Sequence, residues 1–108
     1  MAGNRRKDRG SVELAKIFKI FANEDRLAIL AFLKTKRERP VGDIADNIEA
    51  SFGITSKYLL YLAKNGILRR RYDSPFVLYS IANDISGPAR LILFILSKLL
   101  PANHSTKK

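Results

Sequence analysis

Cysteine is missing from all 108 residues, and the single histidine, His104, lies in a polar C-terminus. Without thiols there is no disulfide, no thiolate metal site and no cysteine redox switch. A lone tail histidine reads as solvated and leaves almost no material for a histidine-based dyad or triad. No nucleophile–base pair or ligand set stands out, so neither an enzyme nor a bound metal or cofactor is expected. Long apolar runs are also missing. Leu27–Leu33 and Leu91–Leu96 fall far short of the roughly 20 residues that span a bilayer. The first ten residues carry charges but no apolar core of a secretory signal. The expectation is a cytoplasmic protein with no membrane partner. Acid is scarce too: 10 Asp and Glu face 20 Lys and Arg, a formal net charge of +10. That excess attracts polyanions and says nothing about fold.

A chain of this length makes one domain with short tails. Residues 1–10, with Arg5, Arg6, Lys7 and Arg9, read as a basic disordered arm, 11–101 as the domain, and 102–108 as a polar tail. Ser11 is placed to cap a first helix over Val12–Ala22, whose polar residues form one narrow stripe. Asn23 caps a second helix with Glu24 and Asp25 in its first turn, apolar all round at Leu27–Leu33 and stopped by Pro40. A short third helix covers about Val41–Ala50, with Ile44, Ala45 and Ile48 inward. Ser51 caps a fourth helix that runs to Asn65, where Gly66 supplies the left-handed C′ position. Ile67–Tyr72 and Phe76–Ile81 then form a hairpin around Asp73-Ser74-Pro75. A last helix runs from about Pro88 to Pro101. The fold class is mainly α with a small β-hairpin, a winged helix-turn-helix.

That architecture places chemistry on two surfaces. At 100° per residue, Thr55, Leu59 and Leu62 share the core side of the fourth helix, with Tyr58 at its edge. Opposite lie Gly53, Ile54, Lys57, Leu60, Tyr61 and Lys64, with Ser56 at the boundary. A second helix of this kind enters the major groove of double-stranded DNA. Lys57 and Ser56 suit base edges or phosphate, Ile54 a thymine methyl, and Tyr61 and Lys64 phosphate. Arg69, Arg70 and Arg71 on the hairpin suit the backbone, with Arg69 and Arg71 on one strand face and Arg70 on the other. Leu60 has no evident partner on a DNA-facing side. The second surface is apolar. Leu14, Ile17, Phe18 and Phe21 on the first helix, with Leu91, Leu93, Phe94, Leu96 and Leu100 on the last, exceed what one small core encloses. They form the natural seam of a homodimer.

The run Ala22-Asn23-Glu24-Asp25-Arg26-Leu27-Ala28-Ile29-Leu30 resembles the A-D-P-x-R-L-x-I-L opening of ArsR-type winged-helix repressors. Asp43-Ile44-Ala45 and Ser51–Leu68, with Ser56, Leu59, Leu62 and Gly66-Ile67-Leu68, match that family's E-L-A … S-x-S-x-V-S-x-H-L-x-x-L-x-x-x-G-L-V in register. The resemblance covers about Val12–Asn83. It implies a homodimeric, DNA-binding transcriptional regulator with the first and last helices at the dimer interface. The departures are informative. The family's sensing cysteines are absent, and Asp84 and His104 do not form its Asp and His pairs. Phe52 and Tyr58 replace a polar residue and a histidine, so sequence preference does not transfer. Asp73-Ser74-Pro75 replaces a glycine-containing tip and implies a stiffer one.

The leading expectation is a dimeric, sequence-specific repressor that reads the groove with 51–65 and the backbone with 67–81. A general or architectural DNA binder and a winged-helix protein-interaction module remain as alternatives.

Overall fold

The computed structural model describes residues 8–100. Residues 1–7 of the expected arm and the tail 102–108, with His104, lie outside them. The elements are α1 (Arg9–Phe21), α2 (Glu24–Lys36), β1 (Arg39–Pro40), α3 (Val41–Ile48), α4 (Phe52–Lys64), β2 (Leu68–Asp73), β3 (Phe76–Ile81) and α5 (Gly87–Leu99).

Local chemistry sets most of the helix ends. The Asn23 side chain accepts from the Arg26 N–H at 2.9 Å and starts α2. Ser51 does the same for α4, accepting from Ile54 at 3.1 Å. Each such cap satisfies a backbone donor that the first turn cannot. Gly66, at φ +78, ends α4 in the left-handed conformation its missing Cβ permits. Two ends differ from expectation. Asp8, not Ser11, caps α1: its carboxylate accepts from the Ser11 N–H at 2.6 Å, so Arg9 and Gly10 are helical and not part of an arm. That hydrogen bond lowers the Asp8 pKa. The second helix ends at Lys36, well before Pro40, with Arg37 at φ 71.

Pro40 has another place. Arg39–Pro40 pairs with β3 as an unexpected third strand, in the order β1-β3-β2, all antiparallel. Lacking an N–H, a proline is tolerated only at such an edge.

The core gathers on α2. Ile29, Leu30 and Leu33 are buried against Ile44 of α3, Leu59 and Leu62 of α4, Tyr79 of β3, and Leu93 and Leu96 of α5. Phe21 joins them. Phe21, Leu93 and Leu96 are therefore interior residues of the single chain, not part of an open seam. Because every residue from Leu91 to Leu96 is apolar, only Arg90, Ser97 and Lys98 near the ends of α5 mark its outward side in the sequence. The outward side is Leu91, Phe94, Ile95 and Leu99.

Leu93→Ala should destabilise the chain by about 2–5 kcal/mol, the range for a buried leucine. Phe94→Ala, whose ring is 55% exposed, should cost far less in the same denaturant titration of monomeric protein.

Candidate nucleic-acid interface

The helix-turn-helix is built from α3, a tight turn and α4. Glu49 takes a left-handed conformation at the turn, and the Ala50 N–H returns to the Ala45 carbonyl at 3.1 Å. This brings α4 across α3 and seats Thr55, Leu59 and Leu62 in the core at 0% exposure. Gly53, Ile54, Lys57, Leu60 and Lys64 then face outward, with Ser56 half-buried. The two-sided division of α4 agrees with its sequence pattern.

Tyr61 departs from it. Its ring is half-buried beneath Arg26, whose guanidinium carbon sits 4.5 Å from the Tyr61 centroid and 5.3 Å from that of Tyr58. The same guanidinium donates to the Ile20 carbonyl at 2.8 Å and the Lys19 carbonyl at 3.1 Å. The Asn23 amide adds a donation to the Tyr58 hydroxyl at 3.3 Å. Arg26 thus ties the end of α1 to the outer half of α4. Sequence reasoning missed this function of Arg26, although an arginine in a helix-start motif and two tyrosines one turn apart were in view.

Strand alternation and register give the three wing arginines three environments. Arg70 lies opposite Tyr79 and donates to its hydroxyl at 3.1 Å. It faces the α4 side, where Phe52, Ser56, Leu60 and Phe76 line a cleft of about 380 Å³ with it. Leu60 therefore forms a wall between α4 and the hairpin. Arg71, on the opposite strand face, makes a bidentate pair with Glu38, at 2.9 Å from Nε and 2.8 Å from Nη2. Arg69 lines a second, larger groove away from α4. The hydrogen bonds from Arg71 hold the Glu38 carboxylate below its ordinary pKa; desolvation opposes this, and the charges of Arg71 and Arg69 add to the lowering.

The apolar seam positions divide likewise. Leu14, Phe18, Leu91 and Phe94 are exposed, and Ile17 and Leu100 are half-buried. Val12, Ile95 and Leu99 extend the exposed set. The helices that carry them, α1 and α5, pack against each other. Among the described residues no group of His, Cys, Asp and Glu is placed to hold a metal, and no helix is long and apolar enough to cross a membrane.

A core-seated α4, the short turn that joins it to α3 and a basic hairpin define a protein of the winged helix-turn-helix class. No protein-family model matches the chain. It is similar to the transcriptional activator HlyU of Vibrio cholerae, 29% identical over 76 residues, 70% of this chain and 69% of that one. It is also similar to the cadmium resistance regulatory protein CadC of Listeria innocua, 41% identical over 66 residues, 61% of this chain and 56% of CadC. The match to CadC thus spans little more than half of that protein's length. A solved structure of a homodimeric winged helix-turn-helix DNA-binding domain from Mycobacterium bovis, of a possible ArsR-family regulator, is 32% identical. Its TM-score is 0.66 over 96% of this chain and 93% of that one. The chain belongs to the ArsR-type family of winged-helix transcriptional regulators.

Glu38 should titrate below 4.5, followed by its side-chain NMR shift, and Arg71→Ala should return it toward that value. A carboxylate whose folded pKa is depressed adds stability above its unfolded pKa and loses it as pH falls through the folded one. The wing base should therefore loosen only in acid, below the ordinary glutamate range.

Proposed function

We propose that the chain is a homodimeric, sequence-specific DNA-binding repressor that occludes a promoter. The observation that carries this reading is the division of α4. Thr55, Leu59 and Leu62 hold it in the core, while at its N-terminal half Gly53, Ile54 and Lys57 are exposed and Ser56 is half-buried. In that placement Lys57 and Ser56 reach base edges and Ile54 reaches a thymine methyl. Lys64, a turn and more beyond, reaches phosphate. On the wing, Arg70 is the backbone anchor, because it alone of the three arginines faces α4. Tyr61 supports the helix from beneath Arg26 rather than touching DNA, and Arg71 serves the wing base through Glu38. No metal or cofactor takes part in this reading.

Sequence selection from random duplex, followed by a salt series on the selected site and a scrambled one, tests it. Lys57→Ala should cost about 1–3 kcal/mol at particular base pairs. Arg70→Ala should weaken both duplexes alike and reduce the salt slope by about one unit. Arg71→Ala should leave that slope nearly unchanged. The reverse assignment of Lys57 and Arg70 would show reader and anchor exchanged.

The seam is the exposed apolar side of α5 with Leu14, Ile17 and Phe18 of α1 and with Leu100. Two-fold symmetry doubles such a patch and sets two reader helices for a palindromic site. Phe94→Glu, which puts a charge at the seam without entering the core, should give a folded monomer in sedimentation at micromolar concentration. A monomeric wild type overturns the dimer.

A further inference from the structure

The groove that Arg69 lines has no place in the reading above. It lies between the end of α2, the outer face of the sheet and α5, and holds about 900 Å³. That is the upper part of the range of roughly 300–1,000 Å³ in which organic ligands bind. Its accessible apolar lining is Ile81, Leu91 and Phe94, with the buried Leu33 and Leu93 behind them. Its rim is cationic, with Lys34, Arg37, Arg69 and Arg90. The one carboxylate there, Glu38, already takes both branches of Arg71. No hydrogen bond or ion pair engages the Lys34 or Arg37 side chains among the described residues. Arg90 is fixed at the rim by its donation to the Ile85 carbonyl at 3.1 Å, with guanidinium donors left over. Arg37 is held at φ 71, a backbone conformation that residues with a Cβ seldom adopt. Conformations of that kind cluster at ligand clamps.

We propose that this groove binds an amphipathic organic anion. A carboxylate or phosphate head sits among Arg37, Arg69 and Lys34, and the apolar body lies along Ile81 and Phe94. Cation and apolar floor are both needed: the first gives charge-assisted hydrogen bonds, the second the area removed from water. The groove also adjoins two working parts. β2 turns Arg69 into it and Arg70 toward α4 in consecutive positions, and Leu91 and Phe94 continue it to the exposed side of α5. Resting on the DNA-binding reading in this respect only, the ligand is an effector that moves the wing relative to the seam.

The test uses the full chain without DNA, so its outcome does not depend on that reading. Decanoate, below its micelle concentration, is titrated into isotope-labelled protein beside decanol. Decanoate should shift amides of residues around Leu33, Arg37, Arg69 and Phe94 saturably, and decanol should not. Arg69→Gln and Arg37→Gly, the latter relieving the positive φ, should each weaken decanoate at least tenfold, and Lys57→Ala should not. Equal binding of decanol, shifts centred on the Leu60 cleft, or full affinity in both arginine variants overturns the site. So does a groove that closes on dimerisation and then takes no decanoate. If saturating decanoate leaves the affinity for a selected duplex unchanged, the effector role is overturned.

Discussion

One guanidinium ties the end of α1 to α4. Arg26 stacks on Tyr58 and Tyr61 of α4 and donates to the last carbonyls of α1. A cation over an aromatic face contributes on the order of 0.5–2 kcal/mol, and a hydrogen bond from a charged donor about 1.5–3. No other side chain among the described residues combines the two. Arginine suits this position because its flat group stacks and donates at once, which a lysine ammonium does not. The end of a helix that carries the exposed Leu14 and Phe18 and the flank of the helix that carries Lys57 are thereby fixed to the same atom group. Any relative movement of the two has to break it.

The wing follows a second constraint, the pairing register of β2 and β3. Arg70 opposite Tyr79 and Arg71 opposite Leu78 place adjacent arginines on opposite faces. A slip of one residue would exchange them. The Glu38 pair therefore engages Arg71 and leaves Arg70 toward α4. The sequence shows three identical residues, and the sheet gives each a different neighbour.

Much of this was legible in the chain. Asn23, Ser51 and Gly66 announce helix ends through chemistry confined to three or four residues. The inward and outward sides of α4 follow from its period, because Lys57 and Lys64 mark the outside. What was hidden shares a cause: it depends on partners distant in sequence or on faces with no contrast. The strand Arg39–Pro40 exists only because β3 supplies its hydrogen bonds. The inward side of α5 is set by α2, since the run Leu91–Leu96 shows no contrast of its own. Asp8 looked like one charge among several in a basic arm, and Tyr61 like an exposed polar ring until Arg26 covered it.

The composition of the sheet margins bears on how the sheet avoids pairing with the sheets of other copies. A three-stranded sheet has two open edges, and an open edge recruits strands from other chains. Here one edge is two residues long and contains a proline. The other is β2, with Arg69, Arg70 and Arg71 in succession. A second β2 approaching in register would bring like charge against like charge and strand its own backbone donors beside a repelling row. Tyr72 and Phe76 stand exposed on the same hairpin, at 69% and 56%, and would otherwise favour such stacking. The arginine run thus protects against strand-to-strand aggregation, whatever it contributes to binding.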